Sequence, residues 1–183
     1  MSHDLAHNLG FEIRACGRTC AKTERALNPG EVYFSVLEAA ELDFVRHDYC
    51  VEAWQGPPAE CVGWWRSRIP TKHDAQPRLA PTDVMLNLFE ALEERPLELE
   101  FRYLLGLLLL RRRLVRRDES RHDDLGREVL TLHCQRRQKD YELVVAEPAA
   151  EQAAKLQQQM IDLLYGNGEV LSSATINTTN HAA

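Results

Sequence analysis

Between Tyr103 and Leu110 the chain holds only apolar or aromatic residues and one glycine, and three consecutive arginines follow. This stretch is far too short to cross a hydrocarbon core, which takes about 20 helical residues. The surrounding segment, from about Leu97 to Arg117, predicts a helix whose middle is apolar almost all round. Such a helix must be buried, so the rest of the chain must cover it.

Two further helices are predicted, one on each side of that segment. From Thr82, a suitable N-cap residue, apolar side chains fall on one helical face until Pro96 stops or kinks the helix. Pro148 opens another helix over residues 149–164, which carries an apolar stripe. The sequence therefore predicts three helices, each with apolar residues to bury, and the regions outside them have other patterns.

Strand patterns occur in two regions. Residues 129–134 and 141–145, separated by a polar turn, predict a β-hairpin. Nearer the N-terminus, Asn28-Pro29-Gly30 is a turn signal, since proline fixes φ at one corner and glycine accepts a positive φ at the next. Three short strands are predicted around it, at 11–14, 32–37 and 42–49. Together they predict a compact β module.

Residues 54–81 differ from the rest, because they hold all three tryptophans and five of the eight prolines. Proline lacks a backbone N–H, so this density argues against a long helix or a central strand. The segment is predicted to be an ordered but loop-like connector that is anchored by its tryptophans. With the hairpin and the last helix, it is expected to cover the apolar central helix.

The chain has five cysteines, and four of them fall between residues 16 and 61. A zinc ribbon binds its metal with two Cys-x-x-Cys turns, because a tetrahedral ion needs four donors. Here the two corresponding segments read Cys20-Ala-Lys-Thr23 and Cys50-Val-Glu-Ala53, so each turn retains one cysteine. The pattern predicts a ribbon-like β module that has lost half of its metal ligands.

A longer pattern accompanies these two turns. Leu-x-Pro-Gly-Glu-x-Tyr-x-Ser-x-Leu follows the first turn at residues 27–37, and Arg-x-Asp-Tyr-Cys at 46–50 leads into the second, which is followed by Trp54. With these residues the chain resembles an uncharacterised bacterial family of small cytosolic proteins with a degenerate zinc-ribbon-like N-terminal module. The resemblance covers most of the chain and implies a fold rather than an activity. Thr23 and Ala53 depart from its metal-binding form.

Zinc binding by the surviving thiols is an alternative to a metal-free module. The four donors would be Cys16, Cys20 and Cys50 with either His47 or Cys61. The preferred hypothesis has no cofactor, with small semi-buried thiols packed in the module. A third hypothesis makes Cys50 a nucleophile, for which His47 is the nearest base in the sequence.

Tryptophan and arginine are enriched at binding hot spots, because large planar groups lose little entropy when they are buried. The partner-contacting candidates are therefore Trp54, Trp64 and Trp65, the neighbouring Arg66 and Arg68, and Arg112 and Arg116 in the basic cluster at 111–117. In the alternative interpretation, the tryptophans only anchor the connector and the arginines form a solvated helix end. Stacking on single-stranded nucleic acid is a further alternative.

Charge and motifs narrow the function classes. The net charge is −6, and residues 1–60 hold five Lys or Arg against ten Asp or Glu. This balance disfavours binding to a phosphate backbone, which needs clustered positive charge. The sequence contains no Gly-rich phosphate loop, no His-Glu-x-x-His and no Gly-x-Ser-x-Gly. An odd number of cysteines and the lack of an export signal predict a cytoplasmic protein that is not membrane-bound.

These observations predict an α+β protein, in which a small zinc-ribbon-like antiparallel β module is followed by a helix pair, a β-hairpin and a C-terminal helix. The predicted parts are a flexible leader at 1–10, the ribbon-like module at 11–53, the Trp/Pro-rich connector at 54–81, a helical domain with the hairpin at 82–165 and a disordered tail at 166–183. The preferred function is that of a non-enzymatic adaptor that binds another protein. A nucleic-acid- or ribosome-associated module and a cysteine-dependent enzyme are the alternatives.

Overall fold

A computed structural model describes residues 19–41, 43–71, 79–95 and 98–165. Within these ranges the protein is α+β, as predicted, with two three-stranded antiparallel sheets and three α-helices. In chain order the elements are β1 (Val32–Ala39), β2 (Phe44–Cys50), β3 (Gly63–Arg68), α1 (Thr82–Ala91), α2 (Leu99–Arg111), β4 (Arg116–His122), β5 (Glu128–Cys134), β6 (Lys139–Val144) and α3 (Ala150–Leu164). The predicted leader at 1–10, the strand at 11–14, Cys16 and the tail at 166–183 lie outside the described residues.

Helix α2 is the buried centre of the fold, as its sequence predicts. Leu105 and Leu109 are fully buried, and their hydrophobic cluster includes side chains from both sheets, from α1 and from α3. Gly106 allows the helix to approach β6 closely, because a Cβ at this position would overlap the side chain of Leu143. Among the described residues, no helix combines the length and the apolar character needed to cross a bilayer.

Helices α1 and α3 form where the apolar stripes predict them. The predicted stripe of α1 is buried along its whole length, at Val84, Met85, Leu88, Phe89 and Leu92. This helix begins directly after Pro81 without a side-chain cap, so Thr82 is its first residue and not its N-cap. In α3, Leu156 and Leu164 lie in the core. Both helices therefore contribute to the cover of α2.

The first sheet has the order β2-β1-β3, and β1 and β2 confirm the strands predicted at 32–37 and 42–49. Strand β3 corrects the expectation that residues 54–81 are loop-like throughout. The prolines do not interfere with it, because they lie outside the strand and the strand is at the edge of the sheet. The third strand of this sheet thus comes from the connector.

The second sheet has the order β4-β5-β6, and β5 and β6 confirm the predicted hairpin. Helix α2 is shorter than the predicted segment, because it ends at Arg111 and Arg113 adopts a left-handed φ of 57°. Residues 116–122, expected to be a helix end and a polar loop, form β4 instead. Every residue of β4 is exposed, so its sequence lacks the alternation that identifies a half-buried strand.

Candidate binding face

The two faces of the first sheet differ in composition. Successive side chains of a strand point to opposite sides, and the register pairs Phe34 with Tyr49 and Val36 with Trp64. These residues belong to the outer face, where Trp64 is 44% exposed. The inner face contributes Leu37 to the main hydrophobic core. The outer face is therefore the one that is available to a ligand.

Phe34, Tyr49, Trp54 and Trp64 form one cluster on the outer side of this sheet, which we name the aromatic face. Trp54 follows a short 3-10 turn after β2, and its ring is stacked on Phe34 with 4.5 Å between centroids and 7° between planes. Its centroid lies 5.5 Å from that of Trp64 and 6.1 Å from that of Tyr49. Each aromatic pair contributes about 0.5–1.5 kcal/mol beyond its burial, so the cluster is held in place before any ligand binds.

Charge is distributed unevenly along the aromatic face. On β3, Arg66 is opposite Phe34, and Arg68 follows two residues later on the same side. Both arginines are exposed, and their side chains make no ion pair or hydrogen bond within the described ranges. At the opposite end of the face, a Glu38 carboxylate oxygen lies 3.6 Å from Nε2 of His47. The arginine end is therefore the positive end.

An open cleft of about 370 Å³ adjoins the aromatic face beside Tyr49 and Trp54. Its other lining residues are Ala21, Lys22, Ala53, Gln55, Gly56 and Pro58. Burial, with a smaller contribution from Glu38, raises the pKa of Tyr49, so its phenol stays protonated and can donate a hydrogen bond at neutral pH. The cleft offers apolar walls, one phenol donor and one ammonium group.

The inner face of the same sheet carries a buried polar network. Arg46 Nε donates to Asp48 Oδ1 at 3.0 Å, and Ser35 Oγ donates to the same oxygen at 2.6 Å. Arg46 Nη1 also donates to the carbonyl oxygen of Tyr165 at 2.6 Å, which ties the sheet to the end of α3. Trp65 is only 5% exposed, and its ring centroid lies 5.1 Å from the guanidinium of Arg46. Although predicted to contact a partner, Trp65 is buried, because it points away from Trp64 across the sheet.

The turns that begin at Cys20 and Cys50 lie next to each other. The backbone N–H of Cys50 donates to Cys20 Sγ at 3.4 Å, and Thr23 Oγ1 lies 4.0 Å from Cys50 Sγ. Burial opposes ionisation of Cys20, but hydrogen bonds from the Thr23 hydroxyl and from nearby backbone amides outweigh it and lower its pKa to about 6. Burial and the contact with Cys20 raise the pKa of Cys50. The two buried thiols therefore differ in acidity.

The other predicted zinc donors do not join these thiols in the part of the chain that the structure describes. His47 lies on the outer face of β2, whereas Cys50, three residues later, lies on the inner face. No closely spaced group of three ligand-type side chains in the described ranges includes Cys61, Cys50 or Cys20. The alternation along β2 also separates His47 from Cys50, which the nucleophile hypothesis requires to be in contact.

A different trio of ligand-type side chains lies on the second sheet. His133 Nδ1 is 2.6 Å from an Asp140 carboxylate oxygen, and Asp118 completes a group whose ligand atoms all lie within 4.8 Å of one another. Sequence analysis missed this trio, because its members come from three neighbouring strands. A carboxylate oxygen of Asp118 also lies 3.3 Å from Nε of Arg116. Asp118 is therefore already paired with an arginine, and Asp140 already has the His133 ring as a close polar contact.

Arg112 and Arg116 are not part of the aromatic face. Arg112 follows the last residue of α2, and Arg116 begins β4 in the second sheet. The helical arc of arginines expected over 111–117 does not form, because the helix ends at Arg111. By contrast, four of the predicted partner-contacting residues do lie together on the outer side of the first sheet, namely Trp54, Trp64, Arg66 and Arg68.

Phe34 and Tyr49 complete the aromatic face, although sequence analysis singled out neither of them. In β1 and β2 each is the neighbour of a fully buried inner-face residue, Tyr33 and Cys50 respectively. Tyr33 and Phe34 are aromatic residues at two successive strand positions, which is a signal that both faces of β1 carry apolar side chains. That signal could have identified the outer face.

No family model, curated protein or solved structure matches this chain. The interpretation of the aromatic face therefore rests on its own geometry. It presents planar apolar surface, a phenol donor and two guanidinium groups that have no partner among the described residues. Within the described ranges, no cysteine thiol of this region is paired with a histidine base. Planar rings beside guanidinium groups and a phenol are suited to binding a ligand.

Proposed function

We propose that this protein is a non-enzymatic binding module that holds a segment of another protein on its aromatic face. One observation carries the proposal: Trp64 is exposed in a cluster with Trp54, beside Arg66 and Arg68, whose side chains have no partner among the described residues. Tryptophan and arginine dominate binding hot spots. An exposed apolar cluster bordered by unpaired charge is typical of an interaction surface.

The rigidity of the face supports this proposal. Trp54 is fixed by ring contacts on three sides, and the strands beneath it are joined to the end of α3 through Arg46. Ordering side chains at an interface costs about 0.5–1.5 kcal/mol for each flexible group. A face that is already ordered avoids most of this cost, so a moderate contact area suffices for binding.

We also propose that the region around Cys20 and Cys50 is a ribbon-like scaffold without a catalytic role. The adjacent turns support a ribbon-like arrangement, with Thr23 and Ala53 at the positions of the missing donors. His47 lies across the sheet from Cys50 and offers that thiol no base. All four cysteines of the described ranges are free, which supports a reducing compartment such as the cytoplasm.

Binding of single-stranded nucleic acid is the second candidate function. Exposed aromatic rings beside arginines can stack bases and contact phosphates. The surrounding charge favours a protein partner instead, because residues 19–71 hold five Lys or Arg against eight Asp or Glu, a net of −3. A phosphate backbone would need a longer positive track than Lys22, Arg66 and Arg68 provide.

A pull-down from native lysate, with and without nuclease, tests the protein-binding function. The bait variants are Trp64→Ala and the control Leu125→Ala, which removes a 77% exposed apolar side chain from the loop between β4 and β5. We expect the same protein partners with wild type and Leu125→Ala, their loss with Trp64→Ala, and no effect of nuclease. Partners that disappear with nuclease would support the second candidate. Partners retained by folded Trp64→Ala would contradict both.

A further inference from the structure

The occupant of the aromatic face can be described more closely, on the condition that the proposed binding function holds. We infer that it is an extended acidic segment that contains proline. This segment lies across the outer side of the first sheet, with its proline in the cleft beside Tyr49 and Trp54 and its carboxylates at Arg66 and Arg68.

Charge complementarity determines which end of the face holds the carboxylates. Arg66 and Arg68 are two residues apart on β3, so both guanidinium groups project from the same side of the sheet. Arginine binds carboxylates through two parallel hydrogen bonds, which gives orientation as well as attraction. Glu38, beside His47 at the other end, repels a carboxylate. The acidic part of the segment therefore binds at one end only.

The exposed side of a sheet favours an extended backbone that needs no hydrogen-bonding partners. The ladders between β1 and its two neighbours already pair the backbone groups of the central strand, so the aromatic face offers side chains only. An occupying strand would leave buried N–H and C=O groups unpaired. The polyproline II conformation keeps its backbone solvated, and segments that adopt it bind to aromatic-lined surfaces in a preformed, low-entropy state.

The cleft next to the face is suited to a proline ring. Its walls include the rings of Tyr49 and Trp54 and the side chains of Ala53 and Pro58. Proline has no backbone N–H, so no donor is left unpaired when its ring is buried there. The Tyr49 phenol can donate to a carbonyl oxygen of the segment, and Lys22 supplies a further positive charge at the rim of the cleft.

A helical occupant fits this surface less well. Helices bind in concave apolar grooves through side chains three or four residues apart. Here Trp64 projects from the face with 44% of its surface exposed. The cleft beside Trp54 is open and is lined by Tyr49 at the end of β2 and by turn and loop residues. The surface thus combines a projecting ridge with a small cleft, which a narrow extended segment can follow.

Selection of random displayed peptides on the full-length protein, under reducing conditions, tests the inference. The enriched peptides are then synthesised with a fluorescent label, and their affinity is measured by anisotropy at low and high salt. The protein variants are Trp64→Ala, the double variant Arg66→Ala with Arg68→Ala, and the control double variant Arg112→Ala with Arg116→Ala. A labelled oligothymidylate serves as the nucleic-acid probe. Circular dichroism verifies that each variant is folded.

We expect the enriched peptides to combine Asp or Glu with Pro and to bind more weakly at high salt. Their affinity should fall about tenfold or more with Trp64→Ala and about fivefold with the Arg66 and Arg68 double variant. The control double variant should bind as wild type does. These results together would establish both the site and the chemistry of its occupant.

The unfavourable outcomes are distinguishable. Peptides that require Trp64 but contain no acidic residue or no proline would overturn the inference and leave the binding function intact. Peptides that bind Trp64→Ala as well as wild type would overturn both. Failure to enrich any sequence would overturn the inference. If oligothymidylate binds more tightly than any peptide, the occupant of the aromatic face is nucleic acid and not a protein segment.

Discussion

The two sheets have the same number of strands and the same antiparallel pairing, but they use their faces in opposite ways. The second sheet buries apolar side chains such as Leu132 and exposes ion pairs such as Arg121 with Glu142. The first sheet buries Arg46 with Asp48 on its inner side and exposes Trp64 on its outer side. The second sheet therefore places charged side chains in water and apolar ones in the core, whereas the first sheet buries a charged pair and exposes aromatic rings.

This difference gives the two sheets different contributions to stability. Burying an ion pair gains little stability over well-packed apolar residues, since desolvation offsets the attraction between the charges. An exposed aromatic cluster likewise contributes less to stability than the same rings would inside the core. The inner network and the exposed rings of the first sheet therefore contribute less to stability than apolar core residues would, whereas the second sheet mainly covers α2. The following substitutions test that contrast.

The largest effect is expected from Arg46→Met, which removes the positive charge and leaves Asp48 buried without it. The free energy of unfolding should fall by about 3–5 kcal/mol, because an uncompensated charge remains inside the protein. The end of α3 also loses the donor to the carbonyl oxygen of Tyr165. Urea unfolding followed by circular dichroism measures the loss.

Arg121→Met is the matched control in the second sheet. Nη2 of Arg121 lies 2.7 Å from Glu142 Oε1, but both side chains are more than half exposed. Solvent screens such a pair, so its removal should leave the unfolding curve nearly unchanged. Equal losses for Arg46→Met and Arg121→Met would show that the inner network of the first sheet has no special role.

A loss of about 3 kcal/mol or more is expected from Trp65→Ala, because it removes a large side chain from the core and leaves a cavity. Trp64→Ala should change the free energy of unfolding much less, since Trp64 is 44% exposed while Trp65 is 5% exposed. Partner binding should respond in the opposite order, with Trp64→Ala the more damaging variant. Parallel denaturation and peptide-binding measurements on the two variants test this reversal. If both variants lose stability equally, the two faces are not distinct.

Much of the fold could be predicted from local patterns. Helices α1 and α3 and strand β5 were predicted correctly. Each of them buries one face, so its apolar residues recur at the spacing of a helix or a strand. Strand β4 could not be recognised, since none of its residues is buried. Strand β3 was obscured by prolines that flank it on both sides. That β3 lies at the edge of the sheet is known only from its pairing with β1.

The candidate site was predictable in part and for a similar reason. Residue type alone drew attention to the tryptophans and to Arg66 and Arg68, but it could not assign Trp64 and Trp65 to opposite faces without recognising β3. Phe34 and Tyr49 enter the site through strand pairing, a contact between distant positions. The buried ion pair of Arg46 with Asp48 was not predicted either, because charged residues are mostly exposed and are therefore expected at the surface.

A smaller effect is expected at the contact between α2 and the second sheet. Gly106→Val should lower the free energy of unfolding by about 1–3 kcal/mol, since the added atoms overlap the side chain of Leu143 and overpack the core. Ala154→Val on the exposed side of α3 is the control, which should cost only about 0.5 kcal/mol through helix propensity. Thermal unfolding measures both. A Gly106→Val protein as stable as the control would contradict the close approach of α2 to β6.

Cys20 should make stability depend on pH, because its pKa of about 6 lies below the ordinary value of 9. Between these two pH values the unfolded chain binds one more proton at this thiol than the folded protein does, so stability rises with pH. The contribution of Cys20 is therefore complete above about pH 9 and is lost as the pH falls toward 6. Urea midpoints measured across this range should rise with pH in the wild type and rise less in Cys20→Ser.

The thiolate absorbance provides an independent measurement of the same group. The difference in absorbance between wild type and Cys20→Ser should titrate with a midpoint near pH 6, because the Thr23 hydroxyl and the surrounding amides stabilise the anion more than burial destabilises it. Thr23→Val, which keeps the shape of the side chain and removes its hydroxyl, should move that midpoint upward. A midpoint near 9 in the folded wild type would mean that these donors do not reach the Cys20 sulfur.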